Sequence, residues 1–462
     1  MTFAAHAYSK ELLFYCFVAG YALYVIAFCH DLSPIMPLFL LCYVTPSLSN
    51  NPGISEDGLF YGTSRIIILC LAAAVIIALI IRITLDESIG WAKFFKMRRA
   101  LLSGMLALGT TYLISGIGSL YFLQDLRRNT LFALIQFASV WFLYFAFSAT
   151  VDWKKFNVDY LAWSGLVAGL VVLAELVRLY YTQDIWVDGV IFRGALYTGW
   201  GTYNNMGAII VTAIPFAFYL AQKKKHSAVY LILALLLNVG ALFSCSRNCM
   251  IFALPTTIAS YAFTLARVKN KKEFGTVSVL LAASIVIAVS VLWRQIGSIF
   301  QDIPSIRESI RKGTELTASG RLKIYKEGLK RFLQNPLTGQ GFFSHDYEFA
   351  EFSTVESFSN FFPPRLHNTI IQILSTCGIV GILAYAYHRW QTVYLLLKKP
   401  SIENVYIGIY MLSLLGMSLL DCHFFNVGPT LFYSIALAVA EFAQGEKQGA
   451  KKGILSLFSS RN

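Results

Sequence analysis

Charge is scarce in this chain of 462 residues: Asp, Glu, Lys and Arg make up 14% of it, against 56% hydrophobic and 15% aromatic residues. Soluble domains carry about a quarter charged residues, so the shortage excludes a water-soluble globular fold and leaves an integral membrane protein. Acidic residues are the scarcer sign, 25 against 38 Lys and Arg, for a formal net charge of +13. The excess sits in loops beside apolar runs, which assigns it to topology and to anionic membrane lipid; no nucleic-acid partner is expected. Clustered cysteine is also missing. Cys16, Cys29, Cys42, Cys70, Cys245, Cys249, Cys377 and Cys422 stand singly in or beside apolar runs, with no CxxC and no Cys/His cluster. They read as small packing residues, and neither a metal nor a cofactor is expected. Residues Ala4 to Lys10 lack a basic n-region and no small-residue cleavage site follows, so no cleavable signal peptide is read. Nor is there an evident inverted pair of Gly/Pro-broken segments of the kind that marks many transporters.

What the chain does have is long apolar runs. They fall near 11–29, 34–49, 63–83, 100–121, 129–149, 158–180, 204–221, 226–243, 248–266, 275–295, 367–388, 403–420 and 427–443. The run at 34–49 is short and lies between Pro34 and Pro46, so it reads either as a span or as a re-entrant piece. The fold class predicted is all-α: a polytopic integral membrane protein of 12 or 13 transmembrane helices with one large extracytoplasmic loop domain. Alternate loops carry Arg82, Lys93, Lys96, Arg98, Arg99; Lys154, Lys155; Lys223, Lys224, Lys225; Arg267, Lys269, Lys271, Lys272; and Arg389, Lys398, Lys399. The opposite loops carry only Arg127, Arg128, Arg193 and Arg247. The positive-inside rule puts the first set, and the C-terminal tail with Lys447, Lys451 and Lys452, in the cytoplasm. The organisation predicted is N-terminal helices over 1–190, central helices over 191–297, an outer excursion over 298–366, C-terminal helices over 367–445 and a basic cytoplasmic tail over 446–462.

The excursion is not a plain linker. Ser305 and Glu308 have capping-box spacing after Pro304 and predict a short helix through Arg311. Arg321 to Gln334 places Leu322, Tyr325, Leu329, Phe332 and Leu333 on one stripe, an amphipathic helix for the membrane surface or the bundle. Asn335-Pro336 stops it, and Gly339-Gln340-Gly341 is a turn whose backbone suits close approach to a ligand. The chain re-enters the apolar phase through Arg365-Leu366-His367-Asn368, and the Ser244-Cys245-Ser246-Arg247 turn falls on the same predicted face.

Two arginines and a histidine on one membrane face suit capture of a phosphorylated lipid and deprotonation of an incoming hydroxyl. Guanidinium groups grip a pyrophosphate by paired hydrogen bonds without losing charge, so Arg247 and Arg321 are the candidate donor-binding cations. The plainer readings are a snorkelling interfacial charge for Arg247 and an amphipathic-helix cation for Arg321. His367, an imidazole with an ordinary pKa near 6.5, is the candidate general base. Arg365 and the helix N-terminus are both expected to keep its ring neutral. Its plainer reading is a helix-capping histidine. Asn368 is expected to orient the ring or the sugar, and Arg193, Asn205, Arg365 and Asn368 are the further donor or acceptor contacts. The loop from Thr182 to Asn205 also offers Trp186, Tyr197, Trp200, Tyr203 and Asn204, either for sugar or as an interfacial belt. His423 is a reserve base. Asp346-Tyr347-Glu348 reads as a solvated acidic loop, not a metal pair.

Ser-Cys-Ser-Arg247-Asn, Ser319-Gly-Arg-Leu-Lys-Ile-Tyr, Asn335-Pro-Leu-Thr-Gly-Gln-Gly and His367-Asn368 followed by Gly378 and Gly381 resemble the O-antigen ligase and polymerase superfamily over about 190–390. The resemblance implies a glycosyltransferase-C-like helical architecture. It also implies inverting, metal-independent glycan transfer from an undecaprenyl-pyrophosphate carrier, on the outer face of the bacterial cytoplasmic membrane, to a lipid, wall polymer, glycan or protein acceptor. One departure is Asn248-Cys249 where the family's Ser-Arg turn usually continues with small residues. Three functions stand: a ligase transferring a finished glycan, a polymerase joining lipid-linked repeats, and a transporter without covalent chemistry.

Overall fold

The computed structural model describes residues 99–122, 156–182, 201–268, 271–291, 321–341, 366–423 and 427–443 without interruption, with isolated positions between 20 and 198 and at 293. The runs predicted at 11–29, 34–49, 63–83 and 129–149, and the short helix from Ser305 to Arg311, lie wholly or largely outside the described residues. The described helices are α1 (Leu102–Phe122), α2 (Asp159–Thr182), α3 (Tyr203–Lys223), α4 (Ser227–Phe243) and α5 (Arg247–Leu265). They continue with α6 (Lys271–Val291), α7 (Arg321–Gln334), α8 (Thr369–Lys398), α9 (Ile402–Leu420) and α10 (Val427–Phe442). Among the described residues α2, α3, α5, α8 and α9 are long and apolar enough to cross a membrane. Two antiparallel ladders of two-residue strands join α2 to α3: β1 (Trp186–Val187) with β2 (Val190–Ile191), and β3 (Tyr197–Thr198) with β4 (Gly201–Thr202).

Helix α3 is the centre of the bundle. Sixteen of its 21 residues are buried, so it has no lipid face, and α2, α4, α5 and α9 all pack on it. Apolar burial drives little helix association inside lipid, and polar contacts between helices take a larger part. Helices α5 and α9 are joined along their length by Thr264 Oγ1 to Tyr406 Oη (2.7 Å), Thr256 Oγ1 to Ser413 Oγ (2.6 Å) and Asn248 Nδ2 donating to the Met417 carbonyl (2.8 Å).

The two ends of the bundle differ in chemistry. At one, Asp159 at the start of α2 bonds Lys224 and Tyr219 Oη (3.0 Å), while Lys223 lies 3.5 Å from Asp159 and 3.8 Å from Glu403 at the start of α9. Lys399 Nζ donates to the Glu441 carbonyl (2.6 Å) at the same end. At the opposite end lie the start of α3, the turn into α5, the start of α8 and the end of α9. Arg389, expected in a basic loop, instead belongs to α8, which runs nine residues past it. Its guanidinium packs 4.7 Å from the Tyr385 ring and 4.8 Å from the Tyr433 ring, and this aromatic seat substitutes for water.

Helix α8 is broken at Gly378 (φ 64°, ψ −159°), and the Asn335–Gly341 turn fills the break. In a regular helix the N–H groups of Ile379 and Val380 bond Ser375 and Thr376. Here they donate to the carbonyls of Pro336 (2.8 Å) and Leu337 (3.2 Å). The Ser375 and Thr376 carbonyls accept from Gln340 N (2.9 Å) and Gly341 N (3.1 Å) in their place, and Thr376 O also accepts from Ser115 Oγ of α1 (2.6 Å). The Gly339-Gln340-Gly341 backbone therefore approaches another stretch of backbone, not a ligand. A Cβ at Gly378 would stand 2.3 Å from the Leu337 carbonyl oxygen, and one at Gly339 2.3 Å from the Thr376 carbonyl carbon. Gly378→Ala combines left-handed strain of about 1–2 kcal/mol with overpacking of about 1–3 kcal/mol, so the variant in detergent is expected to melt well below the parent. An unchanged melting temperature would show that the interlock contributes nothing to stability.

Candidate functional site

Helix α8 begins at Thr369, two residues after His367. Asn368 is its N-cap, its Oδ1 accepting from Ile370 N (2.9 Å) and Ile371 N (3.1 Å), while its Nδ2 donates to the Leu419 carbonyl (2.8 Å) of α9. The amide is thus occupied in starting one helix and fastening it to the end of another, which differs from the expected role of orienting the ring or a sugar. His367 takes a left-handed conformation (φ 50°) ahead of that cap. The strain turns the chain so that the imidazole faces α9.

What meets the ring is Asp421, the residue that closes α9. Its Oδ1 lies 3.2 Å from His367 Nδ1 and accepts from Cys422 N (2.8 Å). Its Oδ2 accepts from Asn204 Nδ2 (2.8 Å), and its own carbonyl accepts from Thr369 Oγ1 (3.4 Å). Asn204 in turn accepts, at Oδ1, the proton of Ser246 Oγ (2.6 Å). Three hydrogen bonds therefore run from His367 through Asp421 and Asn204 to Ser246, the residue before Arg247. Among the described residues the charged group that meets the ring is an anion, a partner that the expectation built on Arg365 and the helix terminus did not include.

Burial alone would raise the Asp421 carboxyl. The hydrogen bond from His367, the charges of His423 and His367 and the N–H of Cys422 overcome that and hold it below the usual carboxylate range. Asp421 is then an acceptor only, so the hydrogen bond between them places a proton on His367 Nδ1 and leaves Nε2 on the far side of the ring. The imidazole is 36% exposed while the carboxylate behind it is 5% exposed. A group that is held from behind and open in front can take a proton from something arriving.

Arg247 is the first residue of α5, half-buried, at the positive end of the helix dipole. Ser246 is the N-cap, its Oγ accepting from Cys249 N (3.4 Å), and Cys245 before it is left-handed (φ 54°). The unusual Asn248-Cys249 pair is buried: Asn248 bonds Met417 and lies 3.3 Å from His423 Nε2, and Cys249 Sγ lies 3.5 Å from the Asn204 carbonyl. Larger residues are accommodated there because they face the bundle.

Arg321 opens α7, and Tyr325, one turn on, donates its hydroxyl to the His367 carbonyl (3.0 Å). The start of α7 is thus brought to the histidine. Asn205 is buried in α3. Arg193 and Arg365 lie outside the described residues. His423 is fully buried against Asn248, which removes it as a reserve base. Two residues of the assembled site, Asp421 and Asn204, were not read as its partners. The signal for Asp421 was a lone acid ending an apolar run on the histidine's side of the membrane.

Residues 231–386 match the family model described as O-Antigen ligase. Over 240 residues the chain is 25% identical to a protein of Escherichia coli (strain K12) named O-antigen ligase. That alignment takes in 51% of this chain and 55% of the relative, so the chain spans about half the relative's length. The family match includes Arg247, Arg321, Arg365, His367 and Asn368; Asn204 and Asp421 lie outside it.

Because the folded Asp421 carboxyl is depressed, its contribution to stability is fully present above the unfolded carboxylate value, about 3.9, and is lost as pH falls through the folded value. Asp421→Asn is expected to lower the melting temperature at pH 6 and to narrow the gap from parent as pH drops towards 3. Parallel curves for the two proteins over that range would contradict the assignment.

Proposed function

We propose, from the premise that both matches support the O-antigen ligase family for this chain, that it is a membrane glycosyltransferase that moves a glycan from an undecaprenyl-pyrophosphate carrier to an acceptor hydroxyl at the His367 end of the bundle. The observation that carries the reading is the hydrogen-bonded pair of His367 and buried Asp421, linked through Asn204 to the turn that presents Arg247. His367 Nε2 takes the acceptor proton, and the oxygen attacks the anomeric carbon from the face opposite the carrier. The carbon–pyrophosphate bond breaks with its electron pair going to the leaving oxygen, so configuration inverts. Asp421 stabilises the imidazolium that forms.

Arg247 and Arg321 bind the carrier pyrophosphate and stabilise the charge that grows on it as it departs. Diphosphate is a good leaving group, so a general acid is not needed, and two guanidinium groups supply the countercharge without a divalent cation. The site faces the periplasm or exterior, with the basic end and C-terminus in the cytoplasm. The helices form a glycosyltransferase-C-like bundle. Arg193, Asn205 and Arg365 are proposed as further donor or acceptor contacts, while Asn368 contributes by capping α8 beside His367.

Full-length protein in proteoliposomes with labelled carrier-linked glycan tests this. His367→Ala is expected to slow turnover by about 10²–10⁴-fold while donor binding persists. Asp421→Asn is expected to lower kcat with little change in KM, and a chelator to leave turnover unchanged. Near-normal turnover of His367→Ala removes the base. A single adduct on an added acceptor marks a ligase, ladders without one a polymerase, and movement of glycolipid without a glycosidic bond overturns the enzyme reading.

A further inference from the structure

The depth at which the Asn335–Gly341 turn meets the bundle can be read along two helices from one shared belt. On α8, the exposed rings of Tyr387, Trp390 and Tyr394 stack at 6.0 and 5.8 Å, an aromatic belt at the basic end. A hydrocarbon core of about 30 Å at about 1.5 Å per residue places the opposite boundary about 20 residues earlier, at the start of α8. Gly378, where Leu337 docks, then lies about 12 Å inside that boundary. On α1, Ser103 bonds Tyr387 Oη (3.0 Å) and so marks the same belt. A Cβ on Gly341 would meet Ser119 Oγ at 2.3 Å, and Ser119 is about 24 Å along α1 from Ser103, leaving the turn several ångströms inside the same leaflet.

A segment at that depth must satisfy its polar groups within the protein. The turn's backbone exchanges four hydrogen bonds with α8, and of its exposed polar side chains Thr338 Oγ1 donates to Asn335 Oδ1 (3.2 Å) and Gln334 bonds Gln340. On α7 the inward cation Arg331 is 7% exposed and bonds Glu327 (3.1 Å), while the outward Lys330, 65% exposed and 3.9 Å from Glu327, has the length to snorkel towards the boundary. Outward, Leu329, Leu333 and Leu337 recur at four-residue spacing and are 42%, 72% and 64% exposed. Three leucines bared to water in one row are unfavourable, because apolar surface costs free energy in proportion to the area exposed. Bared to acyl chains they are at home, as are Leu113, Ile114 and Ile117, which are likewise exposed on α1.

The geometry points to α7 and its turn as a re-entrant half-helix, inserted into the leaflet that borders His367, with Leu329, Leu333 and Leu337 in contact with bilayer acyl chains. Tyr325 at the boundary then sets Arg321, one turn further, at the level of lipid phosphates. The inference needs only that the bundle spans a membrane, and it stands or falls apart from glycan transfer.

The test is a fluorescent amino acid placed at Leu337, at Leu333 and, for comparison, at Lys326 in the full-length protein in phosphatidylcholine vesicles. Quenching by phosphatidylcholine bearing doxyl at acyl carbon 12 or carbon 5 is set against quenching by aqueous iodide. The Leu337 probe is expected to respond several-fold more to doxyl lipid than to iodide, with carbon 12 the better position, and the Lys326 probe in the reverse sense. Iodide quenching at Leu337 equal to that at Lys326 would overturn the insertion, whether the turn lay on the surface or lined a water-filled cavity. If substitution at Leu337 prevents folding, the Leu333 probe one turn higher decides by the same contrast, with carbon 5 expected to be the better quencher.

Discussion

A carboxylate removed from water has to be answered at its lone pairs, and Asp421 is the group whose demands organise this end of the bundle. Its answers come from three directions: Asn204 at the start of α3, His367 ahead of α8, and the N–H of Cys422 beside it. Each partner stands near a helix end, so satisfying one acid brings three termini together. The left-handed backbone at His367 costs on the order of 1–3 kcal/mol. The charge-assisted hydrogen bond and the Asn368 cap that follow offset it. Loss of the carboxylate charge would remove the partner that orients the ring.

The interlock at Gly378 is the second constraint, and it acts on the outer excursion. A broken membrane helix leaves two donors and two acceptors facing hydrocarbon, and a turn from elsewhere in the chain supplies their complements one for one. The excursion is thereby tied to the bundle at a defined depth, and α7 runs back from that tie towards His367. Arg321, remote from Arg247 in sequence, is brought to the same end by this arrangement and not by any affinity between the two cations.

Much of the architecture was legible along the chain. The apolar runs from 204–221, 226–243 and 403–420 match α3, α4 and α9 to within two residues at each end, because a run must be apolar to lie in lipid and charge ends it. The run ending at 388 falls ten residues short of α8, since Arg389 was taken to mark water and is instead held by two tyrosine rings. The Gly339 turn was legible as a place of close approach, but its partner was not. His423 and Asp421 share one tripeptide, and the sequence has no means of saying that the histidine packs inward while the acid reaches another helix.

Composition and periodicity alone determined that this is a helical membrane protein and which loops carry its basic residues, and they proposed His367, Arg247 and Arg321 as the chemically suited side chains. Those properties are local, since partition into lipid and amphipathic spacing depend on a window of about twenty residues. Only the tertiary structure decided that Asp421 backs the histidine, that Asn204 links it to Ser246, and that a glycine turn mends the break in α8. Such pairings join residues tens to hundreds of positions apart, and what selects them is the need to satisfy buried polar groups, a requirement that exists only once the helices have packed.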